Sequence, residues 1–317
     1  MNEMSRESET KNYLPQNQWQ AFDDIVEGRV LGASTHIRMI GEMIKAIAHE
    51  FQEDQIKECV KQVCGYFIET RGKSSYAIIT ACNIMMKPVL EAEENVKEVA
   101  IKSVENYIEN SKKDTENILE YTKRLCHNFK TVMIFDYSST VEKAICHIQE
   151  PLKVYVPESR AIDGGKPFVN ALVKAGHQVH VILDAAMLSV LDECDAAFIG
   201  AETFYPDGTA FNTIGSDILA ELCYMHNVPY YVLTPLLKVD VRSVVGIYKQ
   251  TLVHDLKDKI AENWTGVNIE TVDFEGIELV GVNPKYITGY VCENGIIPTY
   301  SLYQEAIKYN DRINGGM

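Results

Sequence analysis

Two carboxylates, Asp136 and Glu202, are the residues of this chain that are best placed for acid–base chemistry. Asp136 follows the apolar run 131–135, and Glu202 follows the apolar run 196–201. A carboxylate at the end of a core strand is costly unless it is paired or hydrated, which favours a ligand-facing role over a purely structural one. Two carboxylates in different surroundings can divide the work of accepting and donating a proton.

A segment between residues 158 and 166 has the composition of a phosphate-binding loop. Gly164 and Gly165 are predicted to open a helix there, and the cations Arg160 and Lys166 flank them. Backbone amides at a helix N-terminus bind anions, and two cations add to that attraction. The same glycines are equally explained by the turn that they occupy. The chain contains no G-x-G-x-x-G fingerprint.

Three further polar residues are candidates for contact with an anionic ligand. Ser138 precedes a predicted helix, so its hydroxyl either caps that helix or helps to bind an anion at its N-terminus. Asn212 lies shortly before another predicted helix, in a segment that follows Glu202. Lys238 comes just after Pro235 and a predicted strand, where it either contacts an anion or remains a solvated surface lysine.

Short apolar runs that alternate with helical segments are expected to position these residues. Buried strands separated by helices predict an α/β fold with a Rossmann-like, doubly wound parallel sheet. Ligands bind such sheets at the carboxyl ends of the strands, where all the candidates above are placed. The predicted strands are 131–137, 153–159, 178–184, 195–201 and 228–235, and the predicted helices between them are 139–147, 165–175 and 216–226.

The first part of the chain has helical periodicity instead, which predicts a helical N-terminal domain (1–127) before the sheet domain (128–317). Ser34 is the expected N-cap of the first amphipathic helix, and Pro88 is expected to end the third. The predicted helices cover 34–51, 55–70, 74–86 and 91–127.

Composition limits the classes of function. The 317 residues include 30 basic and 45 acidic side chains, a formal charge of −15 that disfavours nucleic acid as a partner. No apolar run is long enough for a membrane span, and the polar start is unlike a secretory signal. Eight scattered cysteines without a Cys-x-x-Cys pair indicate reduced thiols in a cytoplasmic protein. We expect neither a metal nor a cofactor, because no ligand cluster with recognisable spacing occurs.

The segments that carry these residues resemble the initiation factor 2B alpha/beta/delta family, which includes isomerases of methylthioribose 1-phosphate and ribose 1,5-bisphosphate. The resemblance runs in order through most of residues 130–317, in VYVPESRAIDGGKPFVNAL, VHVILDAAM, AAFIGAETFYPDGTAFNTIGSDILAELCYMHNVPYYVLTP and GVNPKYITGYVCENGI. It implies a helical domain on a Rossmann-like domain, homodimers formed through the latter, and a small phosphorylated sugar as ligand.

In the N-terminal half the resemblance is thinner and adds three site residues. Gly32 and Ala33 stand in the isomerases' Arg-Gly-Ala motif, with Leu31 at the arginine position, and Arg71 stands in the family's Thr-Arg-Pro motif. Two departures concern the catalytic pair, because Asp136 aligns with the isomerases' cysteine and Glu202 with their aspartate.

A further departure replaces the lysine of the family's Asn-Lys motif with Thr213, beside Asn212. In Leu-Asp-Ala-Ala (183–186) and Gly-Ala-Glu (200–202) the chain resembles the alpha regulatory subunit more than the isomerases.

Three hypotheses follow. The first, which we favour, is an aldose–ketose isomerase with an altered acid–base pair, Asp136 and Glu202. The second is a sugar-phosphate sensor or a regulatory subunit of translation initiation, which would bind its ligand without turnover and have homologous subunits as partners. The third is a degenerate relative with a filled pocket, whose surface serves only oligomerisation.

Overall fold

The computed structural model describes residues 3–30, 32–73 and 75–314 and forms two compact units. One unit comprises the described parts of Met1–Asp114, Leu237–Val239 and Lys308–Met317. The other comprises Thr115–Leu236 and Asp240–Ile307. The helix Val96–Leu125 contributes residues to both units, so the division by contacts falls earlier in the chain than the predicted boundary near residue 128.

The first unit is helical around one apolar core. Side chains at helical spacing, among them Ile40, Ile44, Val60 and Phe67, are fully buried in it, which is the expected result of amphipathic patterning. The helices of its N-terminal part are α1 (Glu3–Lys11), α2 (Trp19–Val26), α3 (Ala33–Glu50), α4 (Glu53–Thr70), α5 (Tyr76–Glu91) and the first part of α6 (Val96–Leu125).

Two predicted helix ends are wrong. Gly32, not Ser34, is the N-cap of α3, and its φ of 91° is a conformation that glycine adopts without strain. Pro88 lies inside α5 rather than beyond it, and the helix continues to Glu91. Proline there removes one backbone donor, and the complete burial of Met85 and Val89 on the same helix offsets that cost. The start of this helix was predicted at Ser74, which lies outside the described residues.

A seven-stranded sheet organises the second unit. The five predicted strands are β1 (Thr131–Ile134), β2 (Lys153–Pro157), β3 (Gln178–Ile182), β4 (Ala196–Ile199) and the strand Tyr230–Leu233, and all of them pair in parallel. The predicted α/β class with a doubly wound parallel sheet is confirmed. The helices between them are α7 (Ser139–Cys146), α8 (Phe168–Lys174), α9 (Met187–Leu191) and α10 (Ser216–His226).

The order of the strands fixes where a ligand would bind. The next strands along the chain are β5 (Thr203–Phe204), β6 (Ala210–Thr213) and β7 (Tyr230–Leu233). In the large sheet β4 and β7 lie on one side of β1, and β2 and β3 lie on the other. Successive connections therefore leave β1 and β4 in opposite directions, which opens a crevice at their carboxyl ends. Asp136 and Glu202 follow these two neighbouring strands.

Several elements were not predicted. Strand β6 pairs with β5 and with β10 (Leu279–Val282) in a small antiparallel sheet, and the hairpin β11 (Gly289–Cys292) and β12 (Gly295–Pro298) completes the edge of the large sheet. The chain between β7 and β10 carries a two-stranded ribbon, β8 (Val253–Asp255) with β9 (Glu275–Ile277), and the short α11 (Lys257–Ile260). Helix α12 (Leu302–Asn314) closes the described chain.

None of the helices in the described ranges is both long enough and apolar enough to cross a membrane.

Candidate active site

Asp136 is buried at the carboxyl end of β1 with hydroxyl donors on both of its oxygens. The Thr213 hydroxyl donates to Oδ2 at 2.8 Å, and the Ser159 hydroxyl donates to Oδ1 at 3.3 Å. Only 4% of the residue is exposed. A carboxyl group that is held in one orientation among neutral donors can exchange a proton with a ligand without first having to be ordered.

Glycine at position 164 is required by the carboxyl group of Asp136. A Cβ at this position would lie 2.2 Å from Asp136 Oδ1 and 3.0 Å from Ser159 Oγ. It would also lie 3.1 Å from the backbone nitrogen of Tyr137, an atom that cannot move aside as a side chain can. The predicted site residue Gly164 therefore leaves the space that the Asp136 carboxyl group occupies, which is a role of shape rather than of charge.

The loop that supplies Ser159 is held by a residue after the next strand. Asp184 accepts the amide of Ser159 at 2.8 Å and the amide of Arg160 at 2.9 Å. Three residues of this region, Asp136, Ser159 and Asp163, have φ values between 50° and 58°. Left-handed backbone at non-glycine residues stores strain, and such strain gathers at functional sites.

Burial is the main cause that raises the pKa of Asp136 above its ordinary value of 3.8. The hydroxyls of Thr213 and Ser159 and the amide of Tyr137 lower that pKa in part, since they stabilise the carboxylate. The charge of Glu202 raises it further, which means that the two carboxyl groups interact. Burial therefore favours the protonated form of Asp136 relative to a solvated aspartic acid.

Glu202 lies in a more open position beyond β4. Its backbone amide donates to the carbonyl of Phe211 on β6 at 2.9 Å, and its side chain is 43% exposed. The ammonium of Lys249 lies 3.2 Å from Glu202 Oε1. The Glu202 carboxylate is thus paired with a cation and still accessible to a ligand.

Ser138 and Asn212 have well-defined structural contacts. Ser138 is the N-cap of α7, and its hydroxyl accepts the amide of Val141 at 3.4 Å, as the capping interpretation predicted. Asn212 lies on β6 and donates to the hydroxyl of Ser216 at 3.0 Å, at the start of α10. Ligand contact by either residue stays a prediction.

The predicted phosphate loop differs from expectation in one respect. Gly165 does not open a helix, because α8 begins at Phe168 and Gly165 lies in a preceding turn. A Cβ at Gly165 would lie 2.3 Å from the carbonyl oxygen of Pro157, so the close approach of two backbone segments requires this glycine. The N-terminus of α8 is therefore three residues farther along than the cradle interpretation needs, and Lys166 lies exposed in the turn before it.

Arg160 lines an open cavity of about 320 Å³ together with residues of α11 and its C-terminal flank. Its guanidinium lies 3.3 Å from Asp163 and 3.6 Å from Glu262, and it donates to the carbonyl of Lys259 at 3.3 Å. Arg160 is thus engaged by acidic groups and does not pair with Asp136 among the described contacts. A phosphate group would have to compete with those acids.

The remaining predicted site residues belong to the first unit. Gly32 and Ala33 begin α3, and Arg71 donates to the carbonyls of Ile25 and Val26 at the end of α2. Lys238, predicted as part of the sheet domain, groups with the first unit in a 3₁₀ turn. Leu31, at the arginine position of the resemblance, lies outside the described residues.

Sequence reasoning missed the direct partners of the two carboxyl groups. Ser159 and Thr213 lie inside segments that were singled out, but only the structure shows that their hydroxyls meet at Asp136. Lys249 lies in a segment without a motif, so nothing in the sequence pointed to it. Within the described ranges, no group of three or more His, Cys, Asp or Glu residues is arranged to hold a metal ion.

Known proteins with similar sequences include sugar-phosphate isomerases. A ribose 1,5-bisphosphate isomerase of Archaeoglobus fulgidus is 24% identical over 290 residues, which cover 90% of this chain and 90% of that protein. A methylthioribose-1-phosphate isomerase of Thermotoga neapolitana is 27% identical over 273 residues, 78% of this chain and 77% of that protein.

The fold has a solved counterpart. The crystal structure of the Pyrococcus horikoshii translation initiation factor eIF-2B superposes with a TM-score of 0.72 at 19% identity, covering 90% of this chain and 98% of that one. The model of the initiation factor 2 subunit family matches residues 28–299. These matches confirm the resemblance in the sequence, and the chain belongs to the initiation factor 2 subunit family.

Proposed function

We propose that this protein is an aldose–ketose isomerase of sugar phosphates in which Asp136 and Glu202 share the proton transfers. The observation that carries the proposal is the contrast between the two groups at the crevice of one sheet. Asp136 is buried with a raised pKa, whereas Glu202 is half-exposed and ion-paired. Carboxyl groups whose surroundings differ in this way can serve as acid and base at the same pH.

The reaction moves one hydrogen from C2 to C1 of the sugar, so C2 is oxidised to a carbonyl while C1 is reduced. No electrons enter or leave, and the chemistry needs only proton transfers. In a sugar 1-phosphate C1 is bonded to the ring oxygen, so this bond has to break. In our assignment the protonated Asp136 donates to the ring oxygen as its bond to C1 breaks, and Glu202, as the carboxylate, removes the proton from C2, which leaves a double bond between C1 and C2. The proton on Glu202 then passes to C1, and the proton from the C2 hydroxyl returns to Asp136.

The relatives support the substrate class, since two of them carry the names of isomerases for ribose 1,5-bisphosphate and methylthioribose 1-phosphate. In this chain Arg160 and Lys166 are our candidates for the phosphate contacts in the second unit. Gly164, Gly165, Ser138 and Asn212 would line the same site. A homodimer, like a cytoplasmic location, stays a prediction.

A second candidate function is ligand binding without turnover, as in a sensor or a regulatory subunit. Both oxygens of Asp136 already accept hydroxyl groups, and Arg160 already pairs with Asp163 and Glu262. A site whose reactive groups are occupied in this way suits a binder as well as an enzyme.

The deciding experiment follows ribose 1,5-bisphosphate and 5-methylthioribose 1-phosphate by proton NMR in deuterated water, after a thermal-shift assay with the same compounds. Ligands that bind only the native state raise the melting temperature. We expect stabilisation by at least one compound and conversion to its ketose, with deuterium at C1 to the extent that the proton on the half-exposed Glu202 exchanges with the solvent before it is transferred. Stabilisation of an unchanged compound would favour the sensor, and no stabilisation would exclude both functions for these sugars.

Substitutions assign the roles of the two carboxyl groups. D136N and E202Q should each lower turnover by about 10²–10⁴-fold, the usual contribution of a general acid or base. The conservative replacements keep the shape of each side chain, so the thermal shift on ligand binding should persist. Full activity in either variant would remove that residue from the mechanism.

A further inference from the structure

The segment after β7 places the ammonium group of a lysine beside the Glu202 carboxylate. Lys249 is the residue concerned, and its side chain is only 12% exposed although it ends in an ammonium group. A largely buried lysine is costly unless its charge is paired, and one partner of Lys249 is Glu202 Oε1 at 3.2 Å. Because Lys249 is held in a largely buried position, its ion pair restricts the positions that the Glu202 carboxylate can adopt.

The backbone at Lys249 is itself fixed by an aromatic cluster beside β5. The amide of Lys249 donates to the hydroxyl of Tyr205 at 2.5 Å. The ring of Tyr205 packs edge-on against Phe211 with centroids 4.8 Å apart and against Tyr248 with centroids 5.8 Å apart. Phe211 also accepts the amide of Glu202, so the same cluster holds both ends of the ion pair.

The start of the segment is also held in place by hydrogen bonds. Asp240 is 2% exposed, and its amide donates to the carbonyl of Phe204 on β5 at 2.8 Å. Its carboxylate caps the turn that follows and pairs with Arg242 at 2.7 Å. The chain from Asp240 to Lys249 thus returns to the sheet at two points, and the second of them delivers the ammonium group.

A glutamate at a half-open strand end needs such a constraint. Its side chain has one more rotatable bond than an aspartate, and acid–base catalysis loses efficiency rapidly when the reacting group is misplaced. We propose that Lys249 is a positioning residue, which orients the Glu202 carboxylate toward the ligand through their ion pair. This inference rests on the proposed function, because it assigns Glu202 to that site.

The test is a double-mutant cycle with K249M, E202Q and the combined variant, using ribose 1,5-bisphosphate as probe. K249M should lower kcat about 10-fold to 100-fold and change KM less than threefold, and K249R should restore most of the loss. In the E202Q background K249M should have no further effect, because its partner is already neutral. K61M, at an exposed lysine of helix α4, is the control and should equal the wild type.

The outcomes separate this inference from the proposed function. An equal effect of K249M with and without E202Q, or no effect at all, would overturn the positioning role while wild-type turnover still supports the isomerase. If the wild type shows no turnover, the isomerase fails, and the same cycle is read in the shift of the melting temperature that ribose 1,5-bisphosphate causes. A K249M effect on that shift that disappears in the E202Q background supports the role, and an equal effect in both backgrounds, or none, overturns it. Y205F, which removes the hydroxyl that holds Lys249, should act in the same direction if K249M does not fold.

Discussion

The ends of β1 and β4 lie side by side in one sheet, yet the carboxyl groups that follow them have opposite surroundings. Asp136 after β1 is buried among neutral hydroxyls and beside the glycine at position 164. Glu202 after β4 is 43% exposed and faces an ammonium group. The first setting raises the pKa of its carboxyl group and the second supplies a cationic partner, although both residues are acids at equivalent places in the topology.

This difference shows that strand ends supply positions, whereas loops from elsewhere decide the chemistry. Ser159 comes from the loop after β2, Thr213 from the antiparallel sheet, and Lys249 from the segment after β7. Each carboxyl group is thus tuned by a different part of the chain. A change in one set of partners should alter one carboxyl group and leave the other as it is.

Gly164→Ala should have the largest effect, because it disturbs the surroundings of Asp136 and leaves those of Glu202 unchanged. The added Cβ would lie 2.2 Å from Asp136 Oδ1 and has a backbone atom behind it at 3.1 Å. Overpacking of this kind costs about 1–3 kcal/mol and displaces the carboxyl group. We expect turnover to fall about 100-fold, measured as ketose formation, together with a lower melting temperature.

The control for that variant is Gly65→Ala, on helix α4, where an added Cβ meets no atom within 4 Å. Alanine in a helix interior is favoured over glycine by about 0.5–1 kcal/mol, so this variant should be fully active and slightly more stable. If G164A matched G65A in activity and melting temperature, the requirement for glycine beside the Asp136 carboxyl group would be contradicted.

Thr213→Val should change the pKa of Asp136 without changing the surroundings of Glu202. The Thr213 hydroxyl lowers the pKa of Asp136, so its removal should raise that pKa further. An acid that must be protonated works below its pKa, and the basic limb of the pH profile of kcat/KM should therefore move to higher pH. Thr122→Val, which removes a buried hydroxyl from helix α6, should leave the profile in place. A limb that moves to lower pH would contradict the assignment of Asp136 as the acid.

The fold could be predicted from the sequence wherever local pattern and tertiary packing agree. All five predicted parallel strands exist, because runs such as 131–134 and 196–199 have buried side chains on both faces of the sheet. The prediction failed where packing overrides a local signal, as at Pro88 inside α5. It also missed β5, β6 and β10, which are two to four residues long. Strand β6 pairs with β10 across a long separation in the chain, and β5 with β6 in a short hairpin.

The candidate site could be predicted in its positions but not in its contacts. Asp136 and Glu202 were found because a carboxylate after an apolar run is unusual. The pairing of Thr213 with Asp136 spans 77 residues of the chain, and that of Lys249 with Glu202 spans 47. No local pattern encodes such pairings, since they depend on the order of the strands and on the path of the loops.

The smallest expected effect is on stability. It reports the cost of burying the charged form of Asp136 independently of any catalytic role. The folded protein keeps the proton of Asp136 to a higher pH than the unfolded chain does, because burial raises the pKa above 3.8. In that window the native state binds more protons, so its stability falls as the pH rises. D136N has no such proton, and the difference in melting temperature between D136N and the wild type should grow from about pH 4 upward until the raised pKa is passed. E221Q, the same loss of charge at an exposed position on α10, should show a constant difference over this range. Parallel curves for D136N and the wild type would mean that the fold accommodates the charged form of Asp136 as well as water does, and the contrast with Glu202 would then lose its physical basis.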